Sequence, residues 1–186
     1  MEAYIGEADQ ASHARFGPTA RNGVMYGQPG RAYLYLVYGM HTCLNVVTEP
    51  VGRPAAVLVR AVHLDAGVDA ARALRRRQES RLKRFRRDPA LAGALEARLA
   101  ATPRERLASG PGLVGAAFGL DPALTGLDLC DPRSRLRLEA GALGPGERIG
   151  TTARIGIDYA GHPWVDRPWR FVIAGDPAVS GPRRPG

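Results

Sequence analysis

Between Ala32 and Thr48 the chain alternates, breaks and alternates again. Tyr33 and Tyr35 interleave with Leu34 and Leu36, Tyr38-Gly39-Met40 interrupts the run, and Thr42 to Thr48 resumes it. Side chains two apart on a strand share a face, and two such runs around a short break read as a β-hairpin, here tipped at residues 38–40. An antiparallel pair must therefore belong to whatever sheet the chain builds. Around it, residues 2–5 read as a strand and residues 6–30 as a long ordered loop. Residues 56–62 read as a further strand, apolar except for Arg60, which needs a partner there. Residues 65–87 read as an amphipathic helix, with Asp65 and Asp69 near its start and basic residues toward its end, as the helix dipole favours. One or two short helices are expected over 89–107, and another over 113–120 after the Gly110-Pro111-Gly112 turn. Short strands are expected near 136–138, 154–157 and 170–173, and 182–186 reads as a loose tail.

Length sets one domain, 1–186, as the working count. With 45% hydrophobic and 24% charged residues the chain reads as soluble and globular, and 23 Gly and 15 Pro add many turns. No apolar run is long enough to span a membrane and no signal-peptide pattern opens the chain, so a cytoplasmic location is expected. The two cysteines, Cys43 and Cys130, lack metal or disulfide spacing and read as buried apolar residues. A net charge of +8 favours a polyanionic partner through counterion release. That charge is almost wholly guanidinium: 25 of the basic residues are Arg, and Lys83 is the one Lys.

Glu2 and Tyr4 stand side by side on their strand, as do Tyr33 and Tyr35. A carboxylate beside aromatic rings is able to orient and deprotonate water and to steady an oxocarbenium-like charge on a sugar. Glu2 fits that role; its other reading is a solvated chain end. Tyr4 and Tyr35 offer rings on which a base removed from its stack is stacked again, and their electron-rich faces favour a purine carrying positive charge. The same alternation belongs to any half-buried strand. Tyr38, a large ring at a turn, has little to pack against in its own domain, whereas a wedge pushed between base pairs has to project in this way. His13 in the long loop offers a ring edge or a backbone N–H, or is simply exposed. Asn45, polar in an apolar strand, either meets a purine edge from a pocket floor or faces outward. The eight basic residues over 75–87, set against Glu79 alone, form a phosphate-facing patch or a solvated helix end.

Taken in order, Glu2-Ala3-Tyr4-Ile5-Gly6, Ala11-Ser12-His13, Thr19-Ala20-Arg21-Asn22, the run from Tyr33 through Asn45, and Val57-Leu58-Val59-Arg60-Ala61 resemble successive blocks of the alkyladenine (3-methyladenine) DNA glycosylase family. Ser109-Gly110-Pro111-Gly112, Ala153-Arg154-Ile155-Gly156-Ile157 and Arg167-Pro168-Trp169-Arg170-Phe171 extend the likeness over nearly the whole chain. The resemblance implies a mixed α/β (α+β) domain with a curved, largely antiparallel sheet, surrounding helices and a protruding β-hairpin. It implies that Glu2 activates water with Arg60 beside it at the catalytic centre, and that Tyr4, His13 and Tyr35 enclose an everted base. Asn45 would disfavour guanine by meeting its 2-amino group, Tyr38 would fill the gap left in the duplex, and Arg21 and Arg154 would contact DNA. The implied partner is double-stranded DNA holding alkylated or deaminated purines, of the 3-methyladenine, 7-methylguanine and hypoxanthine type. A monomer without metal or organic cofactor is expected. The family uses water rather than an amine, and a single lysine outside the tyrosine cluster agrees with that.

The sequence departs from the family pattern in beginning at its Glu-Ala-Tyr block, where further sheet residues usually precede it. It also has Ala20 where proline is usual, and Leu113 and Ala116 where basic and amide residues are common. The first departure carries an expectation: either the reading frame extends upstream, or this is a shortened, non-catalytic DNA-binding paralogue with Glu2 on an unanchored end. Charge alone would also suit an RNA-binding module.

Overall fold

The computed structural model describes residues 1–81, 88 and 90–181. Most of the latter half of the basic run, including Lys83, and the tail 182–186 lie outside the described residues. Six strands, β1 (Glu2–Ile5), β2 (Ala32–Val37), β3 (His41–Val47), β4 (Ala55–Leu58), β5 (Ile149–Thr152) and β6 (Arg170–Ile173), form one open sheet in the order β2-β3-β4-β1-β6-β5. Every neighbouring pair in it is antiparallel. Four helices are described, α1 (Val68–Glu79), α2 (Ala90–Ala101), α3 (Arg104–Leu107) and α4 (Pro111–Ala117), giving an α+β fold.

The expected hairpin is β2 and β3, in register from Ala32↔Val46 to Val37↔His41. Its turn is closed by the Met40 N–H donating to the Val37 carbonyl at 3.1 Å, with φ of 53° at Tyr38 and 65° at Gly39. Two positive φ values give the turn a twist that matches the strands. Gly39 takes that conformation freely, whereas at Tyr38 it costs about 1–2 kcal/mol.

Alternation along β2 divides the core. Tyr33 packs with Ala14, Met25, Val47 and Ala56, which seats the loop over 6–30 on one face, while Leu34 packs with Leu44, Leu120 and Leu129 on the other. Helix α4 lies so close to β3 that a Cβ on Gly115 would stand 1.9 Å from the Thr42 carbonyl oxygen. Only glycine permits that approach.

Strand β1 is interior to the sheet. Glu2 pairs with Leu58 on one side and Arg170 on the other, and the Met1 ammonium donates to the Phe171 carbonyl at 2.8 Å. Glu2 is therefore held on both flanks, contrary to the expectation of an unanchored end.

Several expected elements are corrected. The helix expected from residue 65 begins at Val68, after Gly67 with a φ of 70°. Residues 154–157 are not a strand; β5 ends at Thr152. Beyond it the Arg154 side chain turns inward to Asp9, Ile155 gives its N–H to a side chain, and Gly156 has a φ of 76°. Residues 136–138 form no strand, only a bond from the Leu138 N–H to the Leu129 carbonyl. β4 stops at Leu58, two residues before Arg60. Cys43 is buried as expected, but Cys130 is exposed, its sulfur set against Gly30 where a Cβ would come within 2.6 Å.

Candidate active site

The sheet face that carries Tyr4, Tyr33, Tyr35, Cys43, Asn45 and Leu58 opens into a cavity of about 570 Å³. Strand periodicity places these side chains together, and His13, Arg21 and Met25 from the 6–30 loop form a second wall. Ile155, Gly156, Ile157 and Tyr159 close a third side, and Tyr38 stands at the mouth.

Glu2 lies beneath this cavity, fully buried. Its Oε2 accepts from the Tyr4 hydroxyl at 2.9 Å and from Arg60 Nη1 at 3.1 Å, and its Oε1 accepts from the Ile155 N–H at 2.8 Å. All three donors line the cavity. They occupy three of the roughly four acceptor positions of a carboxylate, so one on Oε1 is left. Glu2 is the partner that the sequence demanded for Arg60, which is 12% exposed and whose Nε has no hydrogen bond among the described residues. Burial, then the neighbouring Glu2 charge, pushes the Tyr4 hydroxyl well above its ordinary range, so it remains a donor.

His13 and the tyrosines form one aromatic group. The His13 ring meets Tyr35 edge-on with centroids 4.5 Å apart, and its Nδ1 shares a 2.7 Å hydrogen bond with the Tyr33 hydroxyl. Burial, then Arg21 and Arg15, pushes the imidazole down to about 4. It is neutral at neutral pH and does not repel a cation. Burial likewise raises Tyr35 above the ordinary phenol range. Asn45 is buried on the cavity wall rather than outward-facing, and its amide donates to the Tyr33 carbonyl at 3.1 Å. Arg21 is exposed at the rim, its guanidinium 5.1 Å from the Tyr35 ring centroid.

Tyr38 is 87% exposed at the hairpin tip, flanked by the half-exposed Leu36 and Met40. Arg154 is corrected. Its side chain is 0% exposed, bound through two nitrogens to Asp9 at 2.6 and 2.9 Å, and a guanidinium so enclosed does not reach a phosphate. The sequence reading missed Asp9, Tyr159 and the Ile155 N–H. Asp9 caps the Ala11 N–H at 3.0 Å, a local Asx signal that was available. The Ile155 N–H carries no sequence signal, because every residue but proline has one.

A model of the family described as methylpurine-DNA glycosylase matches residues 1–177. The chain is 43% identical over 185 residues to a protein of Methanocella arvoryzae, covering 100% of this chain and 78% of that one. It is 38% identical over 181 residues to one of Streptomyces avermitilis, covering 97% and 73%. It is 40% identical over 194 residues to one of Frankia casuarinae, covering 100% and 78%. Each of the three is named "Putative 3-methyladenine DNA glycosylase". The chain belongs to the methylpurine-DNA glycosylase family.

Proposed function

We propose that this protein is a monofunctional DNA glycosylase that hydrolyses the N-glycosidic bond of alkylated or deaminated purines in duplex DNA. The observation that carries the reading is the buried Glu2 carboxylate, held by Tyr4, Arg60 and Ile155 directly beneath a tyrosine-lined cavity. In this reading the damaged nucleotide leaves the helix and its base enters between Tyr4, His13 and Tyr35, while Tyr38 fills the space it vacates. Water bound at the remaining Oε1 position attacks C1′ of the sugar, and its proton passes to the carboxylate. The bond from C1′ to the ring nitrogen breaks, its electron pair leaves with the base, and an abasic site remains. A base already cationic departs neutral, whereas hypoxanthine needs a proton supplied as it leaves. Arg60 holds the Glu2 carboxylate aimed through its 3.1 Å bond, Asn45 disfavours guanine by meeting its 2-amino group, a penalty that the positive charge of a 7-methylated base offsets, and Arg21 lies where a phosphate can reach it.

The test is duplex DNA with a single 7-methylguanine or hypoxanthine, incubated with protein and then treated with alkali. Strand breaks that appear only after alkali, and their loss in Glu2→Gln with duplex binding kept, are expected. Wild-type protein that binds the lesion and yields no breaks would identify a damage binder instead.

A further inference from the structure

Behind Tyr4 the rings and guanidinium groups alternate. Arg154 lies 4.7 Å from the Tyr4 centroid and 5.0 Å from that of Trp169, and Arg167 lies 5.0 Å from both Trp169 and Trp164. Arg154 does not line the cavity, whereas Tyr4 does. One face of the Tyr4 ring is thus covered by a cation, and a base stacked on Tyr4 has the other side. A guanidinium behind the ring opposes what the ring offers in front, because its charge repels any cation stacked there. A cation stacked in front of the ring stands roughly 8 Å from that guanidinium, where two like charges at an effective dielectric of about 20 to 40 change a rate or binding constant by on the order of tenfold. Asp9 removes the conflict. Both its oxygens pair with Arg154 at 2.6 and 2.9 Å, both side chains are 0% exposed, and the Ile5 and Ala11 N–H groups also donate to it at 3.3 and 3.0 Å.

We infer that Asp9 is a specificity-determining residue: by cancelling the Arg154 charge behind Tyr4, it lets the cavity prefer purines that carry positive charge. Asp9 touches no substrate and acts through Arg154 and the Tyr4 ring. The inference rests on the function proposed above and extends it to lesion choice.

The experiment compares kcat/KM for 7-methylguanine, a cationic base, with that for hypoxanthine, a neutral one, each as a single lesion in duplex DNA. Asp9→Asn leaves the cation uncompensated, and the ratio of cationic to neutral excision is expected to fall about tenfold. Arg154→Gln keeps a hydrogen bond to Asp9 while removing the cation, and the ratio is expected to rise. A purely structural role lowers both activities together and cannot move the ratio in opposite directions. Either variant tests the inference if the other fails to fold. A ratio unmoved, or moved against its stated direction, overturns the inference while leaving the glycosylase reading intact. Wild-type protein that releases neither base overturns both.

Discussion

The floor of the cavity and the tip of the hairpin belong to one sheet and are ordered in opposite ways. At the floor, Glu2 is wholly buried and three donors grip its two oxygens. At the tip, Tyr38 is 87% exposed on backbone with a φ of 53°. The floor is organised before any substrate arrives, which is what electrostatic catalysis requires. The tip keeps a large ring away from its own domain at a conformational cost, which the proposed wedge role would account for. In the proposed reading, the groups that do chemistry are over-determined and the group that would meet the duplex is left unsatisfied.

The sharpest way to break this contrast is at the floor. Glu2→Gln keeps one oxygen acceptor but loses the charge, and single-turnover base release is expected to fall by about 10²- to 10⁴-fold, as for loss of a general base. A loss below tenfold would mean that the gripped carboxylate is structural. At the tip, Tyr38→Gly should do two things at once. Relief of the left-handed conformation is expected to stabilise the fold by up to about 1 kcal/mol, read as a rise in Tm. Loss of the ring is expected to reduce excision from duplex by about 10- to 100-fold, the worth of a stacking contact. A variant that is both less stable and fully active would show that Tyr38 serves the fold.

The hairpin was legible because it depends on local patterning: alternation fixed which faces Tyr33 and Leu34 present, and the tip fell at residues 38–40 as expected. The strand over residues 170–173 was legible for the same reason. Residues 154–157 were misread because their apolar alternation is real but their hydrogen bonds go to side chains distant in sequence. The Ile155 N–H serves Glu2, 153 positions away. The DNA contact of Arg154 came from the family resemblance alone; its pairing with Asp9, 145 positions away, is what encloses its side chain, and no local pattern announces it. Tyr4 beside Glu2 followed from the period of a strand, whereas the Arg60 contact to Glu2 depended on β1 and β4 being neighbours, which periodicity does not specify.

The floor also depends on a purely steric contact. Gly115→Ala would force a methyl group to within 1.9 Å of the Thr42 carbonyl oxygen, pushing α4 off β3. A loss of about 1–3 kcal/mol in stability is expected, measured by denaturant unfolding. Pro111 and Gly112 of the same helix line the cavity, so excision should fall as well. Unchanged stability would mean that the helix and strand separate freely, and the claim of a rigid floor would weaken.

The smallest expected effect concerns pH. His13 is pushed from its ordinary 6.5 down to about 4 by burial, then by Arg21 and Arg15. Across that window the unfolded chain binds a proton that the folded chain does not, so stability rises with pH and is lost as pH falls from about 6.5 toward 4. His13→Gln retains a polar partner for Tyr33 without titrating, and its Tm should decline less over the same range. Above pH 6.5 the imidazole is neutral in both states, so excision of a cationic base should show no inflection that His13→Gln removes. An inflection near 6.5 in kcat/KM that disappears in that variant would mean the cavity acquires positive charge within its working range. The aromatic wall would then be as adjustable as the tip, and the division between an organised floor and an unsatisfied wedge would no longer describe the molecule.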